Sequence, residues 1–113
     1  MQMGKVAEAV AEYKEAVRLD STSAWMHYNL GLVLRTHDQV AQAIEEYRKA
    51  LAINPNYAEA HNSLGIALVY QGNMPEAREE FRQALVANPN FTEAAKNLQL
   101  AEKMQSNAVM GNK

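Results

Sequence analysis

Residues 24–57 read AWMHYNLGLVLRTHDQVAQAIEEYRKALAINPNY, and residues 58–91 read AEAHNSLGIALVYQGNMPEAREEFRQALVANPNF. Laid over each other without a gap, these two stretches of 34 residues share 14 identical residues. A fixed period of this length is the signature of a repeat protein, in which copies of one unit stack on their neighbours. The sequence therefore predicts a fold made from consecutive copies of a single structural unit.

Each unit carries two helical segments. Leu30 and Leu34 lie one turn apart, and Ala43, Tyr47 and Leu51 follow at i, i+4 and i+8, which is the spacing of one helix face. Neither unit shows the alternation of apolar and polar residues that is typical of a half-buried strand. We therefore predict helices and no strands.

Breaks in the pattern mark where these helices end. Residues 36–38 interrupt the first unit and residues 71–75 the second, where Asn73 can cap a helix that has proline in its first turn. Asn-Pro-Asn at residues 54–56 and 88–90 closes the units, because proline lacks a backbone donor and disfavours helical geometry in the residue before it. Each unit is thus predicted to be a helix, a short turn, a second helix and a proline turn.

This arrangement resembles the tetratricopeptide repeat, a helix pair whose pattern places Leu-Gly in the first helix, Ala and Phe in the second and Pro in the closing turn. The matching residues are Leu30, Gly31, Ala43, Tyr47 and Pro55 in one unit and Leu64, Gly65, Ala77, Phe81 and Pro89 in the next. The sequence departs from the pattern at His27 and His61, which replace Trp, and at Leu34 and Leu68, which replace Tyr. All four keep a side chain large enough to pack.

The resemblance implies an all-α, right-handed solenoid of antiparallel helix pairs with six helices. Gly31 and Gly65 would let the two helices of each pair approach closely, with the rings of Tyr47 and Phe81 filling the space beside them. The predicted segments are residues 1–23 as the second helix of a truncated leading repeat, 24–57 and 58–91 as full repeats, 92–105 as a capping helix and 106–113 as a flexible tail.

The two ends differ from the complete units. No first helix precedes the leading helix in this sequence, so we expect the face that carries Ala9 and Tyr13 to be partly exposed. We infer either the C-terminal piece of a longer array or a chain that completes itself by association. In the last helix Gln99 stands where the units have Gly, and Glu102 replaces an apolar residue, which indicates a polar-backed cap. Residues 21–23 are predicted to cap the helix that follows them.

The resemblance also assigns the concave, ligand-binding face to the first helices of successive units. The residues predicted to line this groove are Trp25, Tyr28, Asn29, Leu32, Arg35, Glu59, Asn62, Ser63, Ile66, Tyr70, Lys96 and Asn97. Rings and aliphatic groups would bury the side chains of a peptide, while the amides would bond to an extended backbone. The alternative is that Trp25 and Tyr28 pack against the preceding helix.

Some members of this family hold the acidic C-terminal tails of heat-shock chaperones in a clamp of converging Lys, Arg and Asn residues. Arg35 and Lys96 are the only cations predicted on the inner face, and they lie on different units. Glu59 and Glu93 would oppose an anionic tail. We therefore predict no tight binding of such a peptide.

A catalytic or metal-binding constellation is not visible. The chain has three His and no Cys, and His27 and His61 fall on neighbouring first helices without an evident third ligand. We expect both His residues to be packing residues. The acidic pairs at residues 45–46 and 79–80 lie three or four positions from basic residues and are expected to form a solvated face. The prediction is no enzyme activity, no metal and no cofactor.

Composition narrows the possible partners. The chain has 113 residues and a formal net charge of -2, which is too balanced for the positive field that nucleic acid or an anionic membrane surface requires. Its longest apolar run, residues 66–70, is far too short to cross a bilayer, and no targeting segment is evident, so we expect a cytoplasmic protein.

The sequence as a whole predicts a non-catalytic scaffold that binds a protein or peptide through its concave face. Two alternatives stay open. The chain could be an accessory arm that presents substrates to a larger enzyme, or a structural module that self-associates through its first helix, possibly by exchanging helices.

Overall fold

The structure, a computed structural model, describes residues 2–19 and 22–111. Its helices are α1 (Gln2–Leu19), α2 (Ala24–Thr36), α3 (Val40–Ile53), α4 (Ala58–Tyr70), α5 (Met74–Ala87) and α6 (Thr92–Gly111). The described residues contain no strand. Each helix packs on the next one along the chain, and α2, α4 and α6 also touch in succession. The result is an elongated solenoid of helix pairs that measures 50 × 31 × 20 Å.

The predicted breaks and caps are confirmed. Ser23 caps α2, with its Oγ accepting from the backbone N–H of Met26 at 3.2 Å, while Ser21 lies outside the described residues. Asn73 caps α5 through the backbone N–H of Glu76 at 3.4 Å. A side-chain oxygen at this position satisfies a donor that the helix leaves free. Proline lies in the first turn of α5, where its missing N–H costs no hydrogen bond.

The turn between the two helices of each repeat uses one left-handed residue. Asp38 has φ 62° and Gly72 has φ 80°, and the two positions are equivalent in the repeat. Glycine adopts this conformation without strain, and aspartate is one of the few other residues that tolerate it. The two turns therefore share a geometry although their sequences differ.

Close helix packing within each repeat is confirmed at the two glycines. A Cβ at Gly31 would lie 2.5 Å from Cε1 of Tyr47, and a Cβ at Gly65 would lie 2.5 Å from Cε1 of Phe81. Tyr47 is 0% exposed and Phe81 is 1% exposed. Each ring therefore lies directly against the backbone of the facing helix, and no larger side chain fits between them.

At the N-terminal end of the solenoid, α1 packs on α2, and no other described helix covers it. Ala9 and Tyr13 are partly exposed, as predicted, although Tyr13 and Val10 also pack against the edge of the core. The ring positions equivalent to Tyr13 in the full repeats are fully covered, because a first helix lies over them.

At the other end, α6 continues to Gly111, six residues beyond the predicted limit at 105. A tail was expected for residues 106–111 because the segment loses its apolar period. The structure has helix there, and the segment contains no proline that would end it. Apolar periodicity indicates which residues of a helix pack against its neighbours, and a helix can extend beyond the residues that show it. Residues 112 and 113 lie outside the described part of the chain. Gln99 and Glu102 are exposed on α6, and Glu102 lies 3.5 Å from the guanidinium of Arg82.

Candidate binding groove

The first helices carry most of the large apolar side chains that the solenoid leaves exposed. Trp25 on α2, Tyr70 on α4, and Leu100 and Met104 on α6 are 58%, 68%, 57% and 46% exposed. On the described second helices, only Ile53 and Val86 are comparable. The first helices therefore expose more large apolar surface than the described second helices, and the residues predicted for the groove belong to these first helices.

The first depression on this face lies between α4 and α6. Its volume is about 200 Å³, and its lining is mainly apolar: Ile66, Val69, Tyr70, Phe81, Asn97, Leu100, Ala101 and Met104. Predicted groove residues Ile66, Tyr70 and Asn97 meet here. A site of this size and lining accepts a single bulky apolar side chain.

A second depression lies next to it, where α2 ends. Its volume is about 270 Å³, and it is lined by Arg35, Thr36, Asp38, Val40 and Tyr70. Tyr70 thus belongs to both depressions, one apolar and one with a positive charge.

Arg35 lies beside the hydroxyl of Tyr47. The Nε of Arg35 is buried and makes no hydrogen bond of good geometry, and the same holds for the hydroxyl of Tyr47, which the side chains of Arg35 and Ser63 approach. Burial raises the pKa of Tyr47, and the nearby guanidinium of Arg35 opposes this effect. Among the described residues, no carboxylate forms an ion pair with Arg35.

The predicted amide ligands are already hydrogen-bonded within the protein. Asn62 is 3% exposed, and its Oδ1 accepts from Nδ2 of Asn97 at 3.0 Å. Asn29 donates to the backbone carbonyl of Trp25 at 2.8 Å. These amides therefore connect and stiffen the wall of the groove more than they extend into it.

Tyr28 and Ser63 form a second connection between first helices. Ser63 is 6% exposed, and its Oγ lies 3.5 Å from the Tyr28 hydroxyl. The Tyr28 ring packs against the rings of Tyr47 and Tyr57, with centroids 6.0 and 5.0 Å apart. Tyr28 is thus largely a packing residue, with ring contacts to α3 and to the turn before α4.

The other predicted groove residues are spread along the wall. Trp25, Glu59 and Lys96 are exposed, and Leu32 is partly buried against the core. Lys96 lies beside a shallow depression on α6. That depression does not include Arg35, so the structure does not bring the two cations together.

Sequence reasoning missed a buried ion-pair contact that occurs in both repeats. Nδ1 of His27 lies 2.7 Å from Glu46, and Nδ1 of His61 lies 2.8 Å from Glu80. The expectation of a fully solvated acidic face is therefore wrong for Glu46 and Glu80, whose side chains are 12% and 17% exposed. Each glutamate turns toward the first helix because a histidine there offers a partner.

His61 has a contact on its other ring nitrogen as well. Nε2 of His61 also contacts the carbonyl of Pro55 at 2.7 Å, which ties α4 to the turn before it. The hydrogen bond to Glu80 raises the pKa of His61, and burial opposes this. The signal that could have revealed these pairs is the repetition itself, since His and Glu recur together 19 residues apart in both units.

The described residues do not suggest metal or membrane chemistry. No cluster of three or more His, Asp or Glu residues within 2–19 and 22–111 could hold a metal ion. Within the same ranges, no helix combines the length and apolar character needed to cross a bilayer.

Comparison with known families adds independent information. A family described as TPR repeat matches residues 1–38 and 35–72, and one described as tetratricopeptide repeat matches residues 58–91. A search of curated proteins gave no match.

Several solved structures are similar over almost the whole chain. The crystal structure of MamA is 30% identical with a TM-score of 0.87 and covers 94% of this chain, which spans 62% of the MamA chain. The first TPR of Spaghetti (RPAP3) bound to the HSP90 peptide SRMEEVD is 23% identical, with a TM-score of 0.88, over 93% of this chain and 83% of that one. The second TPR domain of human RPAP3 in complex with the HSP70 peptide SGPTIEEVD is 21% identical, with a TM-score of 0.83, over 89% and 84%. The last two likenesses concern the fold alone.

Proposed function

Because the chain belongs to the tetratricopeptide repeat family, we propose that it is a non-catalytic module that binds a peptide segment of a partner protein along α2, α4 and α6. The observation that carries this proposal is the exposure of Trp25, Tyr70, Leu100 and Met104 on the first helices, of which the last three line one depression. A solvated apolar surface of this kind gains free energy when a ligand covers it.

Two further observations support a peptide as the ligand. The apolar depression between α4 and α6 holds about 200 Å³, which suits one side chain and not a whole folded surface. The two RPAP3 domains, which share this fold, are bound to short peptides in their solved structures. A peptide that places successive side chains on the face of the first helices would bury the exposed rings and aliphatic groups.

The test begins with selection of peptides from a displayed random library on the intact chain. Synthetic copies of the selected peptides are then titrated by fluorescence anisotropy. Tyr70→Ala and Leu100→Ala should each weaken binding about tenfold, as truncation of a central apolar anchor does. Val86→Ala is the matched control, because Val86 is 72% exposed but lies on the second helix α5. This variant should change affinity less than about twofold.

The outcome that contradicts the proposal is equally specific. If Val86→Ala weakens binding as much as Tyr70→Ala does, or if bound peptide protects amides of α3 and α5 from hydrogen exchange in preference to those of α2, α4 and α6, the groove assignment is wrong. Circular dichroism of each variant checks that a loss of binding is not a loss of fold.

The partly exposed face of α1 favours a second candidate function, self-association. Tyr13 occupies the ring position that is 0% exposed in Tyr47 and 1% exposed in Phe81, yet it is only partly covered. A second copy that covers this face would bury the ring. Light scattering over a concentration series should show a rising mass that Tyr13→Glu abolishes. A strictly monomeric mass at every concentration contradicts this candidate.

A further inference from the structure

Arg35 is a partly buried cation in the last turn of α2. Its Nε is fully buried without a hydrogen-bond partner, and it makes no ion pair within the described residues. Removing a guanidinium from water without a counter-charge costs free energy, and that cost is recovered when a carboxylate binds to it. The planar guanidinium matches a carboxylate particularly well, because two N–H groups can donate in parallel.

The position of Arg35 makes it accessible to a ligand in the groove. Arg35 lines the depression at the end of α2 together with Thr36, and Tyr70 lines both this depression and the apolar one between α4 and α6. A bound segment that lies across Tyr70 therefore meets one site that favours a carboxylate and one that favours a bulky apolar side chain.

Both depressions include Tyr70, so the two ligand groups that they accept must lie close together along the ligand. In an extended chain, side chains that point to the same side are two residues and about 6.7 Å apart. This is the shortest spacing at which an extended peptide presents two side chains to one face.

We propose that the groove selects an extended peptide in which a carboxylate bound by Arg35 lies two residues from a bulky apolar side chain seated between α4 and α6. This proposal rests on the proposed function, since it specifies the ligand of the same groove. It adds the chemistry of that ligand.

A nearby acidic group restricts the ligand to a single carboxylate. Asp38 lines the same depression as Arg35. With one cation and one carboxylate at the site, a run of acidic residues in the ligand would meet more repulsion than attraction. The favoured segment is therefore apolar with one acid, and not an acidic tail.

The test uses labelled heptapeptides in a Gly/Ser background, titrated against the intact chain by fluorescence anisotropy at low and moderate salt. One peptide carries Asp-Ser-Phe, and its reversed form carries Phe-Ser-Asp, because the direction of the chain is not fixed by the two sites. The controls carry Asn-Ser-Phe, Asp-Ser-Ala and Asp-Asp-Asp-Ser-Phe. One of the two single-acid peptides should bind at least fivefold more tightly than any control.

Variants of the protein identify the residue that reads the carboxylate. Arg35→Gln should remove the discrimination between the Asp and Asn peptides. Arg78→Gln should retain it; Arg78 also has a buried Nε without a partner but lines neither depression. Asp38→Asn should tighten binding of the Asp peptide two- to threefold, because asparagine also tolerates the positive φ at this turn.

The results separate this inference from the function on which it rests. Equal affinity of the Asp and Asn peptides, or tighter binding of the triple-Asp peptide, overturns the inference. So does a failure of all designed peptides when library-selected peptides bind and depend on Tyr70. If peptides from neither source bind, the proposed function itself fails.

Discussion

Substitution of Gly65 by alanine tests whether close packing, and not backbone freedom, explains the glycine of each repeat. Gly65 lies inside α4, where alanine is normally the better helix former by about 1 kcal/mol. If backbone preference alone decided the outcome, Gly65→Ala would stabilise the protein. The structure predicts the opposite.

The magnitude follows from three distances. An ideal Cβ at Gly65 would lie 2.5, 2.7 and 2.9 Å from Cε1, Cδ1 and Cζ of Phe81. Carbon atoms in comfortable contact are about 3.5–4.0 Å apart, so the ring or the helix must retreat by about 1 Å. Phe81 is 1% exposed, and the depression that it lines between α4 and α6 is bordered by other side chains of the core and the groove. Overpacking of this kind costs about 1–3 kcal/mol, and after the gain in helix propensity we expect a net loss of about 1 kcal/mol.

Thermal and urea unfolding followed by circular dichroism measure the change. For a domain of this size, a loss of about 1 kcal/mol lowers the Tm by about 4 °C. The double variant with Phe81→Leu provides the control, because the smaller side chain leaves room for the new Cβ. In that background Gly65→Ala should be neutral or stabilising, which gives a coupling energy of about 1 kcal/mol or more. Gly31→Ala should behave in the same way against Tyr47, since its Cβ would meet that ring at the same 2.5 Å.

The reasoning is refuted if Gly65→Ala raises the Tm while Phe81 is present. It is also refuted if the effect of the substitution is the same with Phe81 and with leucine. Either result would mean that the helices separate at little cost and that the glycine is not required for close approach.

Three further predictions concern charge, capping and ligand choice. The hydrogen bond to Glu80 raises the pKa of His61. The stabilisation that this hydrogen bond provides is therefore fully present below the unfolded pKa of about 6.5, and it is lost as pH rises through the higher folded pKa. The Tm difference between wild type and Glu80→Gln should be larger at pH 6 than at pH 9, and a pH-independent difference would contradict this. Asn73→Ala should cost about 1 kcal/mol in urea unfolding because α5 loses its cap, and an unchanged midpoint would show that the cap is redundant. The acidic peptide SRMEEVD should show no tight binding by calorimetry, because Arg35 and Lys96 do not converge, and micromolar affinity would overturn this expectation.

The helices, turns and close contacts could be predicted because the two repeats of the chain can be compared with each other. Gly31 and Gly65 recur with Tyr47 and Phe81 at one fixed separation, so each copy supports the interpretation of the other. The end of α6 could not be predicted in this way. Its last residues do not match the repeats, and their sequence has no apolar period that would indicate a helix.

The polar contacts were harder to predict, for a physical reason. Glu46 could have faced solvent or His27. The choice depends on a small rotation of α3 about its axis, and the apolar pattern does not determine that rotation. Asn62 and Asn97 were predicted to serve a ligand because amides suit a peptide backbone. In the structure they satisfy each other instead, and a sequence gives the supply of donors and acceptors but not their pairing.

The connections between first helices have a mechanical consequence. Ser63–Tyr28 and Asn97–Asn62 each join residues 35 positions apart, so every first helix is linked to the next by one polar contact at the same level. These contacts hold each first helix in place on the next one, while the apolar contacts between the helix pairs carry most of the stability. Removing Asn97 would leave Oδ1 of the buried Asn62 without its donor, which costs about 1–3 kcal/mol. The placement of successive first helices along the solenoid is in this sense encoded in two side-chain pairs.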